Sequence, residues 1–192
     1  MFVSFEGIDG AGKSTQARLL AERLGPGTVL LREPGGTPAG ERLRELLKDP
    51  ELELSPRAEL LLFCAARAEL VERVIRPALA AGHDVVCDRF LDSTAAYQGA
   101  ARGLGTETVR VLNEIAVDGC MPDRTVLLRI ATDEAADRGA GRGGFGADRF
   151  EREGESFQAV IAAAFDEFAE ANPDRFVAID GGGLAEEVHA QI

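Results

Sequence analysis

The chain has 192 residues, 45% of them hydrophobic, and a formal net charge of −12. That length suits one domain with its own core, and the acidity argues against an extended nucleic-acid-binding face, which needs clustered Lys and Arg. No apolar run approaches the roughly 20 residues a membrane-spanning helix requires. The first strand begins almost at the N-terminus, so no signal peptide is expected. Cys64, Cys87 and Cys120 are dispersed and odd in number. They read as reduced thiols of a cytoplasmic protein, without disulfide or zinc-type spacing.

Phe2-Val3-Ser4-Phe5 reads as a short buried strand. Gly7-Ile8-Asp9-Gly10-Ala11-Gly12-Lys13-Ser14 follows it as G-x-x-x-x-G-K-S, and Thr15 to Leu24 is apolar at helical spacing until Gly25-Pro26 stops it. Strand, glycine loop and helix form the context of a phosphate-binding loop. The glycines let backbone N–H groups converge on phosphate oxygens, and the helix N-terminus adds partial positive charge. Lys13 supplies a full charge near the β- and γ-phosphates, and the Ser14 hydroxyl suits Mg²⁺. We therefore expect a nucleoside triphosphate bound along Gly7 to Thr15.

Thr28 to Leu31 reads as a second strand. Arg32-Glu33-Pro34-Gly35-Gly36-Thr37 is then a loop at a strand's C-terminal end, where open α/β sheets place ligands. Glu41 to Lys48 is a short amphipathic helix. Ser55-Pro56 opens the longest helix, with serine suited to the N-cap and proline to the first turn. Pro77 lies near its end and Gly82 stops it. Phe63 and Arg67 are one turn apart and share a face, although spacing alone makes Phe63 a core residue. Asp84 to Cys87 is a third strand leading into Asp88-Arg89-Phe90. A carboxylate there suits Mg²⁺, and an arginine beside it can bridge phosphate oxygens. Asp92 or Ser93 caps the next helix, on which Thr94 and Tyr97 share a face.

Thr106 to Asp118 is a further helix, Thr125 to Ile130 a fourth strand, and Thr132 caps a helix through about Arg138. Gly139 to Ala147 is too glycine-rich to remain helical and reads as a cover that brings Arg138, Arg142 and Arg149 in on closing. Ser156 to Ala171 is helical, Arg175 to Asp180 is a fifth strand, and a last short helix runs to Ile192. Five strands alternating with helices imply a three-layer α/β fold with a parallel sheet. His83 and His189 are assigned no chemistry.

Taken together these segments resemble the thymidylate kinase family nearly end to end. The strings F-E-G-I-D-G-A-G-K-S, L-R-E-P-G-G-T, L-L-F-C-A-A-R and D-R-F-L-D-S-T-A-A-Y-Q-G carry the resemblance, with A-D-R-F-E as a weaker match. It implies a single P-loop NTPase domain over 1–192 with a mobile lid at about 138–150. It also implies transfer of the ATP γ-phosphoryl group to dTMP, with Mg²⁺. Asp9 would orient the acceptor, Lys13 and Ser14 would hold the ATP phosphates, and Ser14 and Asp88 would serve the metal. Glu33 would border the acceptor, Phe63 would stack on thymine, and Arg67 and Thr94 would meet the base edge. Arg89 would grip the acceptor phosphate, and Tyr97 would pack against the sugar and disfavour a 2′-hydroxyl. Members of the family draw a transition-state arginine from the phosphate loop or from the lid. With Gly10 at the loop position, Arg138 and Arg142 are the candidates here, with Arg149 next. Phe90 stands where the family usually has tyrosine. The family forms homodimers, for which the long helices from Pro56 and Thr106 offer apolar faces; neither a nucleic-acid polymer nor a membrane is an expected partner. The alternatives are a kinase of altered base choice accepting dUMP, and a nucleotide-binding regulator.

Overall fold

The computed structural model describes residues 1–140, 149–150 and 153–192. Most of the expected lid, Arg142 included, lies outside the described residues. In chain order the elements are β1 (Phe2–Glu6), α1 (Lys13–Leu24), β2 (Val29–Arg32), α2 (Pro38–Lys48), α3 (Pro56–Leu70), α4 (Arg76–Ala80), β3 (Val85–Asp88) and α5 (Leu91–Thr94). They continue as α6 (Thr106–Val117), β4 (Arg124–Arg129), α7 (Thr132–Ala140), α8 (Glu155–Ala171), β5 (Phe176–Asp180) and α9 (Ala185–His189).

The five strands form one parallel sheet in the order β2-β3-β1-β4-β5. A parallel sheet covered on both faces needs strands that are apolar on both sides, and every residue of β1 is buried. Val3, Phe5 and Val86 point into a core built with Ala17, Leu20, Ile161 and Phe165 of α1 and α8. Phe2, Val85 and Cys87 point the other way, onto Leu70, Val71, Ile75 and Val117. The three layers follow as expected. The chain leaves β1 for β2 at one edge and leaves β3 for β4 on the other side, so the crevice opens at the C-terminal ends of β1 and β3. Register pairs Phe5 with Asp88 and Asp88 with Arg32, which brings the strand-end residues level.

Several boundaries differ from the sequence reading. The helix expected to run unbroken from Pro56 to Gly82 is interrupted by a π-helical stretch, Val71–Ile75, before α4. Pro77 sits in the first turn of α4, where it lacks an N–H and its ring would clash with the carbonyl one turn earlier; a widened turn just before it accommodates both. The helix from Leu91 likewise widens into a π-helical run over Ala95–Ala101. α2 begins a turn earlier than expected, because Thr37 Oγ1 accepts from Gly40 N at 2.9 Å and Pro38 occupies the first helical position. The last helix stops at His189 instead of continuing to Ile192. The three cysteines are free and buried. Among the described residues no helix is long and apolar enough to cross a membrane.

Candidate active site

A cleft of about 570 Å³ opens at the crevice and runs from the phosphate loop to Phe63, Arg67, Tyr97 and Phe150. The sequence-predicted site residues among those described line it, except Arg149 and except Gly7 and Ile8, which stand behind the loop as backbone supports. The Gly7 carbonyl accepts from Arg89 Nη1 at 3.1 Å, and the Ile8 carbonyl accepts from Lys13 Nζ at 2.7 Å. Gly10 has φ 88°, and a Cβ there would lie 2.3 Å from the Ala135 carbonyl oxygen of α7, so loop and helix meet backbone to backbone. Gly12, at φ 91°, turns the chain into α1 with no side-chain cap, leaving that helix end to its own N–H groups.

Lys13 is buried, and its pKa is lowered to about 8, first by burial and then by the Arg89 charge, against the pull of Asp9, Asp88 and Glu6. Beside it, Ser14 Oγ donates to Asp88 Oδ2. The other oxygen, Asp88 Oδ1, is buried without a hydrogen-bond partner among the described residues. A hydroxyl oxygen and an orphaned carboxylate oxygen side by side fit a hard cation that keeps most of its water, as Mg²⁺ does.

Arg89 follows β3 with a left-handed backbone, φ 68°, which directs its side chain across the crevice. Nη2 donates to Asp9 Oδ1 at 2.5 Å and to the Tyr97 hydroxyl at 3.1 Å, and Nη1 donates to Ser93 Oγ at 3.0 Å. The guanidinium lies 5.1 Å from the centre of the Tyr97 ring. Tyr97 in turn donates to Asp9 Oδ2 at 3.0 Å. Desolvation would raise the Asp9 pKa, but the Arg89 and Lys13 charges and the bonds from Tyr97 and Arg89 outweigh it and hold the carboxyl far below its usual range. Burial, reinforced by Asp9, pushes the Tyr97 phenol up despite Arg89, so it remains a donor. Asp9, Arg89 and Tyr97 thus form one charged triangle joining the phosphate loop to the rest of the cleft.

At the far end Arg67 is 1% exposed. Its Nε and Nη2 bind Glu33 Oε2 at 2.9 and 2.7 Å, Nη2 also reaches the Phe90 carbonyl and Thr94 Oγ1 at 3.2 and 2.8 Å, and Nη1 donates to Asn113 Oδ1 at 2.7 Å. Glu33 therefore meets the cleft as the counter-charge of Arg67; burial raises its pKa while Arg67 opposes the rise. Phe63 lines the cleft and is only partly buried, with its ring 5.8 Å from that of Phe150. Phe90 is fully buried, edge-on to Phe2 at 5.1 Å and beneath Arg67, so the position of the missing tyrosine hydroxyl is core.

The thymidylate kinase family model matches residues 5–192. The chain belongs to the thymidylate kinase family. It is 46% identical to a thymidylate kinase of Caldanaerobacter subterraneus subsp. tengcongensis, with 100% of this chain and 92% of that protein covered. It is 50% identical to one of Dinoroseobacter shibae over 99% of this chain and 93% of that protein. Among solved structures, a thymidylate kinase of Ehrlichia chaffeensis superposes with a TM-score of 0.82 at 34% identity, covering 100% of this chain and 95% of the other.

Three features around this cleft were not drawn from the sequence. Glu6, the last residue of β1, is fully buried, accepting from Phe90 N at 2.9 Å, Ser93 N at 3.1 Å and Ser93 Oγ at 2.5 Å. It thereby anchors the turn that carries Arg89; its signal was an acid ending a buried, largely apolar strand. Asn113 of α6 holds Arg67 and donates to the Leu91 carbonyl at 3.0 Å, with no local signal. Arg149, third of the expected lid arginines, is instead held at the far end by Glu59 at 2.6 Å. Arg138 remains by the phosphate loop, donating to the carbonyl of Gly181 at 2.9 Å and to Glu134 at 2.6 Å.

Proposed function

We propose that the protein transfers the γ-phosphoryl group of ATP to the 5′-phosphate of dTMP, giving dTDP and ADP, a step toward dTTP. The observation that carries this is the single cleft in which the Asp9–Arg89–Tyr97 triangle joins a phosphate loop to an aromatic chamber with a buried arginine. In this reading the loop N–H groups and Lys13 hold the ATP phosphates, and Arg89, kept in place by Asp9, grips the acceptor phosphate. Phosphoryl transfer asks for positioning and charge more than for covalent chemistry, and these groups supply both. Phe63 stacks on thymine. Arg67 retains one Nη1 N–H beyond its partners among the described residues, and with the Thr94 hydroxyl it meets the base edge. Tyr97 lies where the sugar must pass, which supports discrimination against a 2′-hydroxyl. Arg138 supplies charge at the transferring group, and Arg142, outside the described residues, remains the second candidate.

Ser14 and Asp88 are the residues that would hold Mg²⁺. Held there with ATP, the ion would supply charge neutralisation at the nucleotide phosphates. Exposed Leu61 of α3 and Val111 and Ile115 of α6 support a homodimer formed through those helices. Three buried, free thiols support a reducing, cytoplasmic location.

The test is an ADP-release assay with ATP and Mg²⁺ against a panel of nucleoside monophosphates. The expected result is strong turnover with dTMP, weaker turnover with dUMP because one methyl group is worth only about 1–3 kcal/mol, and none with purines. Equal use of dUMP and dTMP would overturn the base assignment, and silence with every monophosphate would overturn the kinase reading.

A further inference from the structure

Glu59 lies one turn before Phe63 on α3 and is 1% exposed. Its Oε1 accepts from Gln98 Nε2 at 2.7 Å and from Arg102 Nε at 3.4 Å, and its Oε2 accepts from Arg149 Nη2 at 2.6 Å. These donors come from the π-helical run after α5, from the residue just beyond that run, and from the chain leading to α8. A carboxylate buried this deeply is costly unless paired, and well-packed apolar residues often replace such pairs with no loss of stability. Fold stability therefore gives little reason for it, whereas geometry does. A carboxylate only accepts, so the amide nitrogen of Gln98 is turned toward Glu59 and its carbonyl oxygen away. Gln98 lines the cleft. Arg149 also donates to the Leu47 carbonyl at 3.2 Å, and its guanidinium lies 5.1 Å from the centre of the Phe150 ring. That ring stands 5.8 Å from Phe63 and 6.2 Å from Tyr97.

We propose that Glu59 is a positioning residue for the acceptor chamber, fixing the face that Gln98 presents and, through Arg149, seating Phe150 against Phe63 and Tyr97. This rests on the chamber being the dTMP base site. An amide at position 59 must turn an NH₂ toward one of the donors, so Glu59→Gln frees Gln98 or Arg149. The KM for dTMP should rise about tenfold or more, the usual scale for a buried partner left unsatisfied. The KM for ATP should stay within about twofold and kcat should change less than the dTMP KM. Preference for dTMP over dCMP should also fall, because cytosine offers an acceptor at N3 where thymine offers N–H, and a freed Gln98 amide can turn to meet it. Glu59→Asp, which keeps the charge, should recover part of the dTMP KM.

Wild-type KM values and an unchanged dTMP-to-dCMP ratio in Glu59→Gln would overturn the proposal. So would equal rises in both KM values, which would make Glu59 a fold residue only. If Glu59→Gln fails to fold in a urea titration, Arg149→Ala carries the test: a raised dTMP KM alone supports the proposal and wild-type values overturn it. Wild-type protein that ignores dTMP would instead overturn the acceptor reading, and this proposal with it.

Discussion

Replacing Glu6 with glutamine isolates a buried acid whose charge state the fold resists. Burial, and then the Asp92 charge, raise its pKa from 4.5 to about 7, against hydrogen bonds from Ser93 and Phe90 and the charge of Arg89. The folded chain thus binds this proton more tightly than the unfolded chain does. The resulting stabilisation is full below pH 4.5 and is lost as pH rises through about 7. A rise from 4.5 to about 7 corresponds to about 3 kcal/mol. Glutamine imitates the protonated form, since its oxygen still accepts from the Phe90 and Ser93 N–H groups and its NH₂ donates to Ser93 Oγ. Urea unfolding of both proteins from pH 5 to pH 8 reads the difference and cancels the groups they share. The wild type should lose up to about 3 kcal/mol relative to Glu6→Gln, on the order of 1 M in urea midpoint. Parallel stability curves over that range would refute the reasoning and return Glu6 to an ordinary pKa.

Lys13→Ala should lower kcat by about 100-fold or more through lost charge at the reacting phosphates, with the thermal midpoint little changed; near wild-type turnover would remove Lys13 from the mechanism. Phe63→Ala should raise the dTMP KM by about tenfold, as base–aromatic stacking is worth about 1–3 kcal/mol, and leave ATP unaffected. Equal losses for both substrates would undo the stacking role. Arg138→Ala should lower kcat more than it raises either KM, by about 100-fold if it meets developing charge; the reverse pattern would make it a ground-state binding group.

The phosphate loop was legible because three glycines, a lysine and a serine at fixed spacing have a mechanical reason to stand together between strand and helix. Asp88 and Arg89 were legible for a similar reason, since they stand at the C-terminal end of a strand, whereas Thr94 and Tyr97 took their roles only from the family resemblance. Phe63 shows the limit of spacing: helical periodicity favours a core residue, and the side chain is both partly buried and exposed to the cleft. The π-helical stretches left no trace, because over a single turn an apolar pattern fits the wider and the ordinary helix equally. Asn113 and Glu59 were hidden for a different reason. Each is a polar residue on an apolar helix face whose partners, Arg67 and Arg149, lie 46 and 90 residues away, so only tertiary structure reveals why it is there. Arg149 was read with the cover because it follows the glycine-rich run 139–147, while its place is set by a carboxylate far along the chain.

The contact between Gly10 and α7 bears on how such enzymes change. With the Ala135 carbonyl 2.3 Å from where a Cβ would stand, no side chain enters at position 10 while α7 keeps its seat. An arginine in the loop is therefore out of reach by a single codon change here, however useful its charge would be to the transferring phosphate. The helix that carries Arg138 would have to withdraw to make room for it. In the proposed mechanism, then, the two ways of supplying that charge ask for different backbones where the loop meets α7.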